Sequence, residues 1–266
     1  MDMDFSGYFR FEDENEKPLD RLVPNGGYCG IIRTLGCIGD SLASGEFESR
    51  DENGNVGYHD IYAYSWGQFM ARDCGLRAYN FSCGGLTARE YMRGYADDNG
   101  FWSYDKVCQA YIIALGVNDI INDKDPVGTV DDIDLENWRN NKKTFAGNYG
   151  AIIQRLLEKQ PKARFFFVTM PKNENGSRCP EHTELLYELT KVFPFSYVID
   201  MDRYSPPHDK EFKKRFYLGG HLNAAGYLLI ARQFESYIDY IIRHNPDDFL
   251  QIGFVGTPWH NERAKW

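Results

Sequence analysis

Cys37-Ile38-Gly39-Asp40-Ser41-Leu42-Ala43-Ser44-Gly45 decides the fold, because an apolar run stops there at a serine. Thr34 to Ile38 predicts a short buried strand, and Gly39 breaks it where the backbone must turn sharply. A serine so placed presents its hydroxyl at the carboxyl end of a sheet, where ligands gather in open α/β folds. Outward from this point, strand-like and helical runs alternate. Leu76–Phe81, Ala110–Leu115, Arg164–Thr169 and Ser196–Ile199 predict four more strands, and Ala110–Leu115 is of the near-continuous apolar type buried on both faces of a parallel sheet. Asp60–Cys74, ending before Gly75, has helical spacing. Ala88–Tyr95, Ala146–Lys159 (closed by Pro161), Glu181–Val192 and Asn223–His244 follow, with Asn223 able to cap the last helix. The polar, Gly-containing insertion Glu46–Gly57 has loop chemistry. Five strands separated by helices predict an α/β fold with a doubly wound parallel sheet in three layers.

The 266 residues suit one domain, 1–266, with a core over about 31–245 and both terminal extensions packed on it. A net charge of −9 argues against a nucleic-acid partner. Met1 to Lys17 is acidic and lacks a basic region followed by an apolar stretch, so it does not read as a signal peptide. No apolar run approaches the ~20 residues of a membrane helix, so no membrane partner is expected. Cys29, Cys37, Cys74, Cys83, Cys108 and Cys179 form no Cys-x-x-Cys pair and several sit in apolar surroundings. They read as unpaired residues of a cytoplasmic protein; a mature fragment of an exported protein is the alternative. The oligomeric state is open.

Four loops after strand ends each carry one candidate for chemistry. Ser41 follows the first strand, Gly84-Gly85 the second, and Gly116-Val117-Asn118-Asp119 the third. His221, in Gly219-Gly220-His221-Leu222-Asn223, comes after the fifth strand and a loop. A serine hydroxyl needs a base within hydrogen-bond reach, and a histidine can take that proton and return it to the leaving group. A tetrahedral oxyanion needs fixed donors. The backbone N–H groups of Ser41 and Gly85 and the amide of Asn118 can supply three. A side chain at 85 would hold the backbone off the substrate.

In that order, Gly39-Asp40-Ser41-Leu42, Gly85, Gly116-x-Asn118-Asp119 and His221-x-Asn223 resemble the motif blocks of the GDSL-type SGNH hydrolases, over Gly39 to Gly226. The resemblance implies Ser41 as nucleophile, His221 as base and an oxyanion hole from Ser41, Gly85 and Asn118. It also implies a flavodoxin-like strand order 2-1-3-4-5 and no metal or organic cofactor. One departure stands out. The family usually places an aspartate three residues before the histidine, where this chain has Leu218. A backbone carbonyl accepting the His221 Nδ1 proton, in a Ser-His dyad, is the favoured substitute. Asp200 or Asp202 reaching in from beyond the fifth strand, or a weakened or inactive relative, are the others.

The remaining features have plainer readings. Asp40 reads as a structural acceptor and Asp119 as a cap. His59-Asp60 and His208-Asp209 read as surface or loop pairs, not metal ligands. Asp131-Asp132-Ile133-Asp134 reads as a solvated loop. Arg89 either holds an anionic substrate or pairs with a carboxylate. Tyr58, Trp66, Trp102 and Trp138 are core or pocket aromatics. Pro258-Trp259 and Trp266 suggest docking against this chain or another. The expected function is hydrolysis of a small O-acyl ester, an acetyl ester of a carbohydrate or similar metabolite. The rivals are a lipolytic acylhydrolase and a non-catalytic glycan binder on the same scaffold. A flavin or nucleotide binder is disfavoured, since no Gly-x-Gly-x-x-Gly loop is present.

Overall fold

A computed structural model describes residues 15–263; most of the acidic amino terminus and Trp266 lie outside them. Along the chain run β1 (Thr34–Gly39), α1 (Ser41–Ser44), β2 (Glu46–Arg50), β3 (Val56–Asp60), α2 (Trp66–Cys74), β4 (Arg77–Ser82) and α3 (Ala88–Glu90), which continues through a π-turn into α4 (Ala96–Asp98). Then come β5 (Ala110–Ala114), α5 (Phe145–Lys159), β6 (Arg164–Val168), α6 (Pro180–Val192) and β7 (Ser196–Ile199). The chain continues with α7 (Met201–Tyr204), α8 (Lys210–Phe216), β8 (Tyr217–Leu218), β9 (His221–Leu222), α9 (Ala224–His244) and α10 (Pro246–Phe249).

The central sheet is parallel, in the order β4-β1-β5-β6-β7. Counted within this sheet alone, that is 2-1-3-4-5, as the family resemblance implies. Alternation along the strands divides the core. Cys37, Ile112 and Phe166 face α2 and α9, whereas Ile38, Ile113 and Phe167 face α5 and α6. Both faces are therefore buried, which is why these strands read as continuous apolar runs. Before β1, the Val23 N–H donates to Ser236 at 3.0 Å and the Tyr28 N–H to Asp239 at 2.8 Å, both on α9. After α9, Phe249, Ile252 and Val255 are buried in the same layer. The six cysteines are unpaired, and all but Cys83 are buried.

Two expectations are corrected. Glu46–Gly57 is no loop: β2 and β3 form an antiparallel hairpin, from Glu46↔Asp60 to Arg50↔Val56. Its turn is fastened by the Asp51 carboxylate, which accepts from the Asn53 and Asn55 N–H groups at 2.8 Å each. The ribbon is polar because it rests on the edge of the core, and most of its side chains meet solvent or the cleft. The helix expected from Asp60 begins only at Trp66, because Ser65 caps it by accepting from the Gln68 N–H at 3.3 Å. The residues before it finish β3 and make a 3₁₀ turn at Tyr62–Tyr64.

Candidate active site

Ser41 opens α1 directly after β1. The turn is tight: a Cβ at Gly39 would come within 2.6 Å of the Ala43 Cβ and 3.0 Å of the Ala114 carbonyl. Asp40 caps α1 by accepting from the Leu42 N–H at 3.1 Å, the structural role read from sequence. Burial pushes its carboxyl up to about 6. The Ser41 carbonyl accepts from Ser44 Oγ at 3.1 Å and from the Tyr227 hydroxyl of α9 at 3.5 Å. The same Tyr227 hydroxyl donates to the Glu46 carbonyl at 2.6 Å, tying the start of the hairpin to the serine turn.

Gly85 follows β4 with φ +75°, and a Cβ there would meet nothing within 4 Å. The left-handed backbone, not crowding by the protein, calls for glycine. Asn118 follows β5; its Nδ2 donates to the Leu86 carbonyl at 3.2 Å and its Oδ1 accepts from Asn122 at 2.7 Å. These bonds lash the third strand-end loop to the second. Asp119 is fully buried and caps α3 rather than its own turn, accepting from the Ala88 N–H at 2.8 Å. Burial pushes its carboxyl up to about 7.

His221 begins β9, which packs against α1 and β2. Across the short β8–β9 ladder it pairs in register with Leu218, which is 51% exposed. Two carboxylates of β2 bracket the imidazole. Glu46 Oε1 lies 3.0 Å from Nε2, and Glu48 Oε2 lies 3.9 Å from Nδ1. Glu46 and Glu48 are two residues apart and so share a face of their strand. Burial raises the Glu46 carboxyl above the usual range, with Asp60 adding to that and His221 and His59 opposing it. A Cβ at Gly84 would overlap the Glu46 carboxylate, so this side chain spans from the histidine to the Gly84-Gly85 loop. The Tyr58 ring stands edge-on to His221 at 5.6 Å.

None of the expected orienting groups reaches Nδ1. This nitrogen is buried and has no hydrogen-bond partner, so no backbone carbonyl takes its proton. Asp200 is spent at the start of α7, accepting from Arg203 N–H at 2.9 Å, Thr169 at 3.2 Å and Tyr187 at 2.8 Å. Glu46 and Glu48 are the carboxylates within 4 Å of His221 among the described residues; Asp202 is not among them. The sequence reading missed both glutamates. The signal that could have found them is Asn53-Gly54, a hairpin dipeptide, flanked by residues that put Glu46 and Glu48 on one side.

Other side chains resolve more simply. Arg89 pairs with Asp123 at 2.7 Å and with Asp125. His59 bonds Ser49 at 2.8 Å. His208 is buried, not on the surface: it stacks on Phe212, bonds Tyr217 at 2.9 Å, and burial pushes it down to about 4. Asp132 is likewise buried, bonded to Lys142 at 2.8 Å and Thr144 at 2.9 Å, because it completes a capping box with Thr129. Trp66 and Trp102 are core residues, whereas Trp259 is 68% exposed. Among the described residues no three His, Cys, Asp or Glu side chains are grouped to hold a metal. No helix among them is long and apolar enough to cross a membrane.

Two hollows adjoin the strand-end loops. One, of about 70 Å³, is lined mainly by apolar groups, among them Leu42, Val117, Met170, Met201 and Phe234. The other is an open cleft of about 510 Å³ at the Gly84-Gly85 turn, bordered by Glu90, Arg93, Tyr95 and Asp98.

No curated protein matches the chain significantly. Among solved structures, it is similar to a family two carbohydrate esterase from Clostridium thermocellum in complex with cellohexaose, at 16% identity and TM-score 0.57 over 79% of this chain and 64% of that one. It is also similar to a family 2 carbohydrate esterase with a carbohydrate binding domain from Corynascus thermopiles (Myceliophthora fergusii), at 15% identity and TM-score 0.53 over 77% and 65%. A possible lipase from Chitinophaga pinensis matches at 14% identity and TM-score 0.53, over 81% of this chain and 99% of that one. The match spans less than two thirds of either esterase chain, and at these identities the likeness concerns the fold. The sequence profile of the GDSL-like lipase/acylhydrolase family matches residues 37–229, well over half of the chain and every strand of the central sheet except the first residues of β1. The chain therefore belongs to the GDSL-like lipase/acylhydrolase family and is a carboxylic ester hydrolase.

Proposed function

We propose that the chain hydrolyses a small O-acyl ester, an acetyl ester of a carbohydrate or similar metabolite, through a covalent acyl-enzyme. Ser41 Oγ attacks the ester carbonyl and its proton passes to His221 Nε2. The new oxyanion is held by the N–H groups of Ser41 and Gly85 and the amide of Asn118, donors fixed in advance of the charge they meet. As the tetrahedral intermediate collapses, the C–O bond to the alcohol breaks and His221 returns the proton to the departing oxygen. Water then repeats the sequence on the acyl group and frees Ser41.

The observation that carries this reading is the order of four strand-end blocks, Ser41, Gly85, Asn118 and His221, inside the span matched by an acylhydrolase family. The substrate class is supported by the two hollows. The small apolar one flanks Leu42 and Val117, the neighbours of Ser41 and Asn118, and suits a short acyl group. The open cleft offers carboxylates, a guanidinium and a phenol, which suit a hydroxyl-rich alcohol. The fold's likeness to carbohydrate esterases points the same way.

The test is hydrolysis of p-nitrophenyl acetate by the wild type and by Ser41→Ala, with fluorophosphonate labelling of both. Ser41-dependent turnover and labelling at Ser41 are expected. A folded wild type that turns over no faster than the variant, or takes no label, overturns the proposal in favour of a non-catalytic glycan binder. Rates that climb steadily from two-carbon to ten-carbon acyl chains would replace the acetyl ester by a lipid.

A further inference from the structure

The imidazole of His221 lacks the aspartate that its family places three residues earlier, yet a buried carboxylate stands beside its Nδ1. We propose that Glu48 of the β2–β3 hairpin is the positioning residue that orients His221, taking over from within an insertion the task of the carboxylate absent at Leu218. The inference rests on the reading of Ser41 and His221 as nucleophile and base.

Four observations carry it. Glu48 is 7% exposed, although a glutamate on a polar hairpin has every opportunity to turn into solvent. Its Oε2 accepts the Gly220 N–H at 2.5 Å, so the carboxylate is bonded to the residue just before the histidine. The chain makes room for it: Gly219 has φ +69°, and a Cβ there would overlap the Glu48 carboxylate. Finally, Nδ1 is buried without a partner and faces that same oxygen at 3.9 Å.

The distance is longer than a hydrogen bond, and Glu46 explains why. In the resting molecule the opposite nitrogen, Nε2, sits 3.0 Å from Glu46 Oε1, which draws the ring toward Glu46. For His221 to serve Ser41, Nε2 must exchange Glu46 for the serine hydroxyl and be free of its own proton, so the neutral ring that donates Nε2–H to Glu46 releases that proton to solvent and takes one up on Nδ1. A small rotation that releases Glu46 brings Nδ1–H onto Glu48, the kind of tightening that catalytic hydrogen bonds show when substrate enters. As Ser41 yields its proton to Nε2, the imidazolium keeps its Nδ1 proton, and Glu48 stabilises the charge and fixes the ring without itself being protonated. Arg50, 3.1 Å from Glu48 Oε1, holds the other carboxylate oxygen.

The experiment is steady-state hydrolysis of p-nitrophenyl acetate by the wild type, Ser41→Ala, Glu48→Gln, Glu48→Asp, Glu46→Gln and Glu48→Gln combined with Leu218→Asp. Gln at 48 keeps an oxygen acceptor for Gly220, so a merely structural role predicts unchanged turnover. The expected result is a fall in kcat of about 10²- to 10⁴-fold in Glu48→Gln, the range for loss of a positioned acid–base partner, with KM changed little. Partial recovery is expected in Glu48→Asp, and in the double variant that returns a carboxylate to the usual family position on an exposed site facing His221. Unaltered kcat in Glu48→Gln alongside Ser41-dependent hydrolysis overturns the role of Glu48 alone. So does a loss confined to Glu46→Gln, which would hand the task to Glu46. Hydrolysis that does not depend on Ser41 in the wild type overturns the esterase reading and the positioning role with it.

Discussion

The carboxyl edge of the central sheet and the β2–β3 hairpin meet around His221, but they are built by different physics. Ser41, Gly85 and Asn118 stand at the ends of three adjacent strands, β1, β4 and β5, whose register is set by ladder bonds and buried side chains on both faces. A one-residue slip there would exchange the two core faces, so such positions are strongly specified. The hairpin has no comparable core. It is fastened by Phe47, which packs against Tyr64 and Tyr227, and by a few polar contacts: the Tyr227 hydroxyl on the Glu46 carbonyl, the Gly220 N–H on Glu48, and Ser44 on Asp60. In the proposed mechanism the sheet edge supplies the groups that touch the reacting carbonyl, and the ribbon supplies the charged surroundings of His221. The placement of the proposed nucleophile is therefore set by the central sheet, while the surroundings of the proposed base are set by the hairpin.

The sharpest way to break this comparison is to remove the proposed nucleophile. Ser41→Ala should lower turnover to the background, on the order of 10⁶-fold for a residue that acts as part of a serine–histidine unit, while leaving the thermal midpoint nearly unchanged. A residual rate within tenfold of the wild type, measured with the same chromogenic acetate, would mean that the sheet edge does not carry the chemistry. Asn118→Ala comes next. Loss of one oxyanion donor costs about 10²–10³ in kcat, and here the bond to the Leu86 carbonyl is lost as well. If kcat holds and only KM rises, the amide binds the ground state and the three-donor hole is wrong.

How much of this was legible in the sequence follows the same division. The five strands were readable because buried parallel strands leave unbroken apolar runs, as in Tyr111-Ile112-Ile113 and Phe165-Phe166-Phe167, whereas their order 2-1-3-4-5 was implied only by the family resemblance. The serine turn was readable because Gly39 must lack a side chain to let Ala43 and Ala114 come close. The hairpin was misread because its composition reflects the cleft and solvent, so Glu46-Phe47-Glu48-Ser49-Arg50 resembles a loop despite its alternation. His208 and Asp132 were misplaced for a related reason: a polar side chain's burial depends on partners beyond its immediate neighbours, such as Tyr217 and Lys142, nine and ten residues on. What orients His221 could not be read at all from its own neighbourhood, since the nearest carboxylates lie more than 170 positions earlier in the chain.

A smaller perturbation tests whether the ribbon is seated where its contacts say. Gly219→Ala imposes a side chain at φ +69° and on the Glu48 carboxylate. The backbone cost is about 1–2 kcal/mol, readable in chemical denaturation. A fall in kcat of about tenfold should accompany it, a modest share of the 10²–10⁴ range for a displaced acid–base partner. Gly176→Ala is the control: its φ is likewise positive, at +96°, but its Cβ would meet nothing within 4 Å. The two variants should lose similar stability, and any dependence of activity on Glu48 should appear in the first and not the second. Equal behaviour in both would make the overlap at 219 irrelevant to the base.

The weakest effect on turnover belongs to a group that serves the sheet edge only as scaffold. Asp119 caps α3 through one carboxylate oxygen, while its other oxygen is buried without a partner. Burial raises its carboxyl from an ordinary 3.8 to about 7, so the native state holds this proton more tightly than the unfolded chain does. Between those values the unfolded state binds fewer protons, and stability must fall as pH rises, by at most about 1.4 kcal/mol per pH unit from this group. Below the lower value both states are protonated, and above the upper value both are ionised, so the contribution levels off at each end. Asp119→Asn retains the acceptor for the Ala88 N–H and cannot ionise. Its stability relative to the wild type should therefore improve steadily from pH 4 to pH 7, measured by urea denaturation at each pH. Asp40, with its carboxyl pushed up to about 6, adds a slope of the same sign to both proteins and cancels in the difference. A difference that stays flat across the range would mean that Asp119 is ionised throughout in the folded protein, and that its unpartnered oxygen is reached by water.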